Sequence, residues 1–247
     1  MTGVYRLADL NIEITSVYRY IHDFCRDYRV GGDGCLPDYS VRPTRAEIEF
    51  ERKKMAEIDA CEGLPERTYP DDWLEMLVVH RMIAERLPDF SGFLLHGSAV
   101  AVDGECFVFT AKSGTGKSTH TRLWRELLGE RAVMVNDDKP LVRVTERGTL
   151  VYGTPWNGKH NLSSNIAVPL RAICILERGN ENRIFEVGMD EVLPKLLLQA
   201  YRPMNSAGTK KLLEVFDRMD VRFFRMQCNM DVSAAELAYT TMKGWKT

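Results

Sequence analysis

Residues 109–119 decide the fold, and they read Phe109-Thr110-Ala111-Lys112-Ser113-Gly114-Thr115-Gly116-Lys117-Ser118-Thr119. An apolar, strand-like run at 106–109 leads into this stretch, and a run with apolar pairs at helical spacing, 123–128, follows it. A strand, a loop of small residues ending in Gly-Lys-Ser and a helix together form the context of a phosphate-binding loop. The alternative is a chance loop rich in Gly, Ser and Lys.

The residue types in this loop suit an anion for separate physical reasons. Gly114 and Gly116 let the backbone curl until successive N–H groups point at the anion. The helix that opens near Lys117 adds the positive end of its dipole, and the Lys117 side chain can reach the β- and γ-phosphates. Ser118, in preference to Thr119, is the candidate ligand for Mg²⁺. The predicted nucleotide-binding residues are Ser113, Gly114, Thr115, Gly116, Lys117, Ser118 and Thr119.

A pair of acids follows the next predicted strand. Residues 131–135 form a short apolar run that ends in Asn136-Asp137-Asp138, and Asp137 lies 20 residues after Lys117 (137 − 117). Of two adjacent carboxylates at a strand end, one can hold a metal ion or its water while the other accepts a proton from an attacking hydroxyl. The alternative is a strand-terminating turn with solvated acids.

Composition limits the class of protein. The chain has 247 residues, 45% hydrophobic and 28% charged, with a formal net charge of −2, so we expect neither a nucleic-acid-binding surface nor a polybasic membrane anchor. No apolar run approaches the ~20 residues of a spanning helix, and the N-terminus lacks the apolar segment of a signal peptide. The six cysteines show no C-x-x-C pair, so we expect reduced thiols, no zinc site and a cytoplasmic protein.

The remaining pattern predicts two regions, 1–90 and 91–247. The first is predicted to be an α+β region with strands in 4–14, an amphipathic helix from Val17 to Tyr28, a capping box at Thr44 and Glu47, and a buried helix over 72–87. The second is predicted to contain a hairpin about Asp103-Gly104, a hairpin about 146–148, a strand over 172–177, helices over 189–201 and 206–219, a strand over 221–226, and a last helix capped by Ser233 with Glu236. The polar stretch from Gly153 to Asn161 is either substrate-facing or an exposed connector.

This order of motifs resembles the catalytic domain of HPr kinase/phosphorylase. The resemblance rests on His96-Gly97, a hairpin into Ser113-Gly114-Thr115-Gly116-Lys117-Ser118, and Asp137-Asp138 at the end of the next strand. It covers residues 91–180 well and 181–247 more loosely, and the core is also similar to the nucleotide-binding part of phosphoenolpyruvate carboxykinase. It implies an α/β fold: a mixed-sheet P-loop domain of this type, here with an N-terminal α+β extension.

The resemblance also implies roles for particular residues. Lys117 would bind the phosphates of ATP, and Ser118 with Asp137 would hold Mg²⁺. Asp137 or Asp138 would be the base on the substrate hydroxyl, and the sequence leaves open which. His96 matches the family's histidine near the γ-phosphate, and its alternative role is that of a structural histidine at a strand start.

Two departures separate the chain from HPr kinase itself. Ala111 and Lys112 replace a glycine and an acidic residue of the family's loop, and 153–159 stands where the family has a Gly-rich segment used in dephosphorylation. The chain therefore looks like a member of an HPr-kinase-related group rather than an enzyme that acts on HPr.

Three functions follow as hypotheses. The first is a Mg²⁺- and ATP-dependent kinase that phosphorylates a hydroxyl of a small protein, a peptide or a metabolite, with Arg178 or Arg202 stabilising the transferring group. The second is an ATP-binding or ATP-hydrolysing regulatory module without an acceptor, and the third is an interaction protein that uses residues 1–90 to bind a partner. The donor could be ATP, ADP or pyrophosphate, and a homo-oligomer would agree with the hexamers of HPr kinases.

Overall fold

The computed structural model of the chain describes residues 1–31, 35–65 and 67–244. It divides the chain into two compact units, Met1–Arg86 and Leu87–Thr247, whereas the sequence pattern set this boundary at residue 90.

The first unit combines a three-stranded sheet with three α-helices. Its elements are β1 (Thr2–Leu7), β2 (Leu10–Thr15), α1 (Tyr20–Phe24), β3 (Tyr39–Val41), α2 (Arg45–Cys61) and α3 (Asp71–Arg86). Strands β1 and β2 form a hairpin, and β3 pairs with β2 in parallel. The predicted capping box is confirmed, because the Thr44 hydroxyl accepts the Glu47 N–H while the Glu47 carboxylate accepts the Thr44 N–H.

The predicted helix from Val17 to Tyr28 is wrong in its length. Only α1 is α-helical, a 3₁₀ turn covers Arg26–Tyr28, and Val17 is 57% exposed. The Tyr18 carbonyl oxygen accepts the Ser16 hydroxyl (2.7 Å), while the His22 N–H, which a helix from Val17 would have directed to that carbonyl, bonds to Arg19 instead (2.9 Å). The buried Glu75 carboxylate accepts the N–H groups of Val17 (2.7 Å) and Tyr18 (3.0 Å), which would have no partner within a helix.

The second unit is a mixed α/β structure. Its elements are β4 (Gly92–Leu94), β5 (Gly97–Val102), β6 (Glu105–Thr110), α4 (Lys117–Leu128), β7 (Ala132–Asn136), β8 (Leu141–Thr145), β9 (Gly148–Tyr152), β10 (Ala167–Arg178), β11 (Arg183–Val187), α5 (Met189–Gln199), α6 (Ser206–Asp217), β12 (Arg222–Cys228) and α7 (Val232–Lys243). The described residues form one nine-stranded sheet in the order β4-β8-β9-β10-β6-β5-β7, with β12 between β10 and β11. Both predicted hairpins are confirmed, and the turn at Asp103 (φ 52°) and Gly104 (φ 85°) has the positive φ angles that this dipeptide favours.

Helices cover both faces of this sheet. Along β6, Val108 belongs to the core beneath α5 and α6, while Phe107 and Phe109 belong to the core beneath α4 and α7. This alternation follows the period of two residues in a strand. The N-cap residue of α7 is Asp231, whose carboxylate accepts the Ser233 N–H, so the predicted Ser233 cap is wrong.

Strand direction determines which residues meet at one edge of the sheet. Strand β5 is antiparallel to both β6 and β7, so Gly97 pairs with Thr110 and Ala99 with Asn136. The beginning of β5 therefore lies beside the ends of β6 and β7. This juxtaposition brings together the residue before β5, the loop after β6 and the turn after β7.

Candidate functional site

A loop rich in small residues, 111–116, joins β6 to α4, and we call it the glycine loop. Gly114 (φ 75°) and Gly116 (φ 118°) both adopt positive φ angles, which glycine reaches without the steric penalty of a side chain. Gly116 is the N-cap residue of α4 and provides no side-chain acceptor, so no capping side chain occupies the first N–H groups of that helix. Such N–H groups, at the positive end of a helix dipole, suit an anion.

Lys117 is the first residue of α4, and its side chain turns back over the loop. Its Nζ donates to the Ala111 carbonyl oxygen at 3.1 Å, and the residue is buried. Burial lowers the pKa of the Lys117 ammonium, and the nearby Asp138 and Asp137 carboxylates offset part of this shift. An anion in the loop would replace the single carbonyl with a full negative charge as the partner of this ammonium.

The glycine loop opens into a cleft of about 680 Å³. We call it the acid-side cleft, and it is lined by His96, Ser113, Gly114, Gly116, Lys117, Ser118, Thr119, Asp137, Asp138, Asn157, Gly158, Lys159 and His160. All the residues predicted to bind the nucleotide or the metal ion line this cleft except Thr115, and so do the predicted catalytic residues His96, Asp137 and Asp138. Thr115 lines two neighbouring cavities instead.

Asp137 is held in a fixed, buried position. It is 4% exposed, and its Oδ1 accepts the Ser98 hydroxyl at 2.8 Å. Ser98 Oγ lies 2.7 Å from the Thr121 hydroxyl, which must be the donor of this bond because the Ser98 proton is engaged by Asp137. A chain of hydroxyls from α4 and β5 thus fixes one oxygen of this carboxylate.

Asp138 has a more open and more cationic environment. Its Oδ1 lies 3.3 Å from His96 Nε2 and 3.8 Å from Lys139 Nζ. Burial alone would raise the pKa of the Asp138 carboxyl, but the hydrogen bond from His96 and the charges of Lys139 and Lys117 outweigh it and lower the pKa. Asp138 is therefore ionised at neutral pH.

Asn136 holds the turn that carries Asp138, and its role was not recognised in the sequence. Its buried side-chain oxygen accepts the N–H groups of Asp138 (2.8 Å) and Lys139 (2.6 Å), while its Nδ2 donates to both oxygens of Thr154 and to the Trp156 carbonyl. One amide thus ties the turn after β7 to the segment after β9. In the sequence, the one feature that could have indicated this role is the position of Asn136, a polar residue at the end of an apolar strand.

The polar stretch 153–161 has a buried half and a half that lines the cleft. Thr154 and Trp156 are buried, whereas residues 157–160 line the acid-side cleft. Gly158 lies against the acids, since a Cβ at this position would come within 3.3 Å of Asp137 Oδ2. A side chain there would crowd the carboxylate.

The two arginines suggested by the sequence have different surroundings. Arg178 is exposed and donates a hydrogen bond to the Gly114 carbonyl oxygen, so it contacts the glycine loop from the side opposite the acids. Arg202 is exposed and does not line the acid-side cleft. Only Arg178 is therefore near the loop.

Protein groups for a metal ion are few. Within residues 1–31, 35–65 and 67–244, no group of three or more His, Cys, Asp or Glu side chains is arranged to hold a metal. Mg²⁺ commonly binds through one or two protein oxygens together with phosphates and waters, and Ser118 and Asp137 provide such oxygens in this cleft. In the same described ranges, no helix has the length and apolarity needed to cross a membrane.

Fold and site together define a mixed α/β protein in which a glycine loop between a strand and a helix faces a pair of acids across one cleft. Residues 60–200, more than half of the 247 residues, match the family model described as SynChlorMet cassette protein ScmC, and the chain belongs to this family.

Among solved structures, the chain is similar to the Hpr(Ser) kinase/phosphatase from Coxiella burnetii, with 11% identity and a TM-score of 0.27 over 61% of this chain and 93% of that one. A similarity at that TM-score supports no conclusion about fold or activity. No curated protein matches the chain.

Proposed function

We propose that the second unit is a Mg²⁺-dependent phosphotransferase. It would transfer the γ-phosphate of ATP to a hydroxyl group, either a serine of a small protein or peptide or a hydroxyl of a small metabolite. One observation carries the proposal: the glycine loop, Lys117 and two adjacent carboxylates all open into the same cleft. A phosphate-binding loop and a proton acceptor are the two parts that phosphoryl transfer requires of a protein.

On the donor side, the chain would neutralise negative charge. The N–H groups at the start of α4 and the Lys117 ammonium would bind the phosphates, and Lys117 would exchange the Ala111 carbonyl for a phosphate oxygen. Mg²⁺, when bound, would add positive charge to the phosphates, and the hydroxyl of Ser118 and the carboxylate of Asp137 are oxygen ligands of the kind it prefers.

On the acceptor side, the surroundings of the two acids favour Asp138 as the base. The Asp137 carboxylate is already bound by Ser98, whereas Asp138 is less buried and lies beside His96. The acceptor oxygen would form the new bond to phosphorus as its proton passes to Asp138, and the bond to the leaving β-phosphate would break. His96 would then orient Asp138, because its Nε2 lies within reach of the carboxylate.

The resemblance of the motifs to HPr kinase supports this reaction class, while Ala111, Lys112 and the 153–159 segment argue against HPr as the acceptor. The description of the ScmC family names no reaction.

A transfer assay tests the proposal. The purified chain is incubated with Mg²⁺, γ-labelled ATP and an extract of cellular peptides and metabolites, and the label is followed into acceptors and into free phosphate. We expect label in an acceptor, and we expect Asp138→Asn to lower that transfer by about 10²–10⁴-fold while ATP binding persists.

A matched control is Asp220→Asn, which removes an exposed carboxylate that does not line the cleft and should leave transfer unchanged. Release of free phosphate without a labelled acceptor would favour the ATP-hydrolysing regulatory module. Absence of ATP binding in the presence of Mg²⁺ would rule out both functions.

A further inference from the structure

A second cavity, of about 750 Å³, lies on the other side of the glycine loop. We call it the amide-side cavity, and it is lined by Gly114, Thr115, Gly116, Thr119, His120, Leu123, Leu176, Arg178, Gly179, Asn180, Gln227, Cys228, Asn229 and Met230. It shares Gly114, Gly116 and Thr119 with the acid-side cleft. A ligand whose phosphates occupied the loop could therefore extend into this cavity.

The position of the cavity follows from the parallel part of the sheet. Strand β10 is parallel to β6 on one side and to β12 on the other. The cavity is built from residues at the carboxyl ends of β10 and β12 and from the α4 surface that follows β6. The crevice beyond the carboxyl ends of parallel strands is where open α/β sheets bind their ligands.

The lining has the chemistry of a recognition site rather than of a reaction site. Asn180, Gln227 and Asn229 have side-chain amides, each with donors and an acceptor, and the Asn229 oxygen already accepts the Asp231 N–H at 3.0 Å. Apolar surface comes from Leu123, Leu176 and Met230. Such a mixture suits the flat face and the hydrogen-bonding edge of a nucleobase, and the volume falls within the range of about 300–1,000 Å³ usual for small-molecule sites.

His120 provides an independent observation. Its Nε2 accepts the indole N–H of Trp124 at 3.2 Å, and since an indole nitrogen only donates, the ring proton of His120 must be on Nδ1. No hydrogen-bond partner for that Nδ1 exists among the residues the structure describes, although the histidine is only 2% exposed. The His120 ring is part of the cavity lining, and its Nδ1 donor is closed off from solvent inside that wall.

We propose that the amide-side cavity binds the nucleoside of the phosphoryl donor, so that the donor is a nucleoside triphosphate and not pyrophosphate. This inference rests on the function proposed above, since it assumes that phosphates bind the glycine loop. It adds to that function because a donor without a base would leave the amides of the cavity unused.

A third cavity provides the competing position. It has a volume of about 370 Å³, and its lining includes Lys112, Glu177, Lys195 and Leu198. It shares no lining residue with the acid-side cleft. It does border the glycine loop through Ala111, Lys112 and Thr115, so a nucleoside here is the alternative that a variant of this cavity must exclude.

The experiment compares two ligands that differ only in the nucleoside. Calorimetry measures the binding of Mg²⁺-ATP and of Mg²⁺-tripolyphosphate to the full chain and to the double variant Asn180→Ala/Gln227→Ala. Both residues are exposed, so we expect the variant to fold. In the unaltered chain ATP should bind at least about tenfold more tightly than tripolyphosphate, and the double variant should lose most of this preference without losing affinity for tripolyphosphate.

The control Leu198→Ala alters a residue of the third cavity that is 80% exposed, and it should leave both affinities unchanged. Equal binding of the two ligands, loss of the ATP preference in Leu198→Ala, or an unchanged preference in the double variant would each overturn the inference while leaving the phosphate site intact. Failure of both ligands to bind would overturn the proposed function as well.

Discussion

The two cavities that share the glycine loop differ in the charges of their lining residues and in the surroundings of the histidine that each contains. The acid-side cleft contains Lys117, Asp137 and Asp138, and its His96 lies beside a carboxylate. In the amide-side cavity His120 is buried against Trp124, and Arg178 is the one charged side chain among the described lining residues. The same loop thus separates a polar, charged surface from an apolar surface with amides.

This difference indicates that the two cavities have different functions. Charged groups in a partly buried cleft can stabilise phosphates and accept protons, whereas amides and apolar side chains can select a ligand by shape and hydrogen bonding. Substitutions in the acid-side cleft should therefore affect ligand binding and phosphoryl transfer differently from substitutions in the amide-side cavity.

The largest effect should come from removing the Lys117 ammonium from the acid-side cleft. A ligand at about 100 times its Kd stabilises a protein by about 2.7 kcal/mol, and Lys117→Ala should abolish this stabilisation by Mg²⁺-ATP. Thermal unfolding with and without Mg²⁺-ATP measures it. The control is Lys112→Ala, which removes an exposed lysine of the same loop and should retain the stabilisation. If Lys117→Ala were stabilised as much as the unaltered chain, the loop would not be a phosphate site.

A smaller effect is expected from Asn136, which holds the turn after β7. Asn136→Ala removes the acceptor of two backbone N–H groups and the donor to Thr154 and Trp156, all near a buried strand end. We expect the free energy of unfolding of this unit to fall by about 2 kcal/mol in urea titrations. Asn180→Ala, an exposed amide, should cost less than about 0.5 kcal/mol. Equal losses in the two variants would mean that Asn136 does not organise the turn.

The glycine loop was predictable because its determinants are contiguous in the chain. Gly114 and Gly116 need positive φ angles, β6 reads as an apolar run, and α4 follows at helical spacing. The hairpin at Asp103-Gly104 was predictable for the same reason. Local residue preferences fix such elements whatever they pack against.

Contacts between distant residues were not predictable. Ser98 and Asp137 lie 39 positions apart, and a serine within an apolar strand gives no sign that it binds a carboxylate. The Glu75 carboxylate likewise binds the Val17 N–H from 58 positions away, and nothing in the sequence indicated this contact. The cap of α7 failed because Asp231 competes with Ser233, and both residue types cap helices well.

The smallest effect tests whether His120, in the wall of the amide-side cavity, is as buried in solution as it is in the structure. Burial lowers the pKa of His120 from 6.5 to about 4. Between these values the unfolded chain binds a proton that the folded chain excludes, so the free energy of unfolding decreases as the pH falls. Between about pH 7.5 and about pH 5.5, the free energy of unfolding of the unaltered chain should fall by about 1 kcal/mol more than that of His120→Gln. Urea unfolding of both proteins at both pH values measures this difference. Because other titrating groups are common to the two proteins, only the difference between their losses reports on His120. If both lost the same amount, His120 would titrate as it does in water, and the contrast between the two sides of the loop would rest on charge alone.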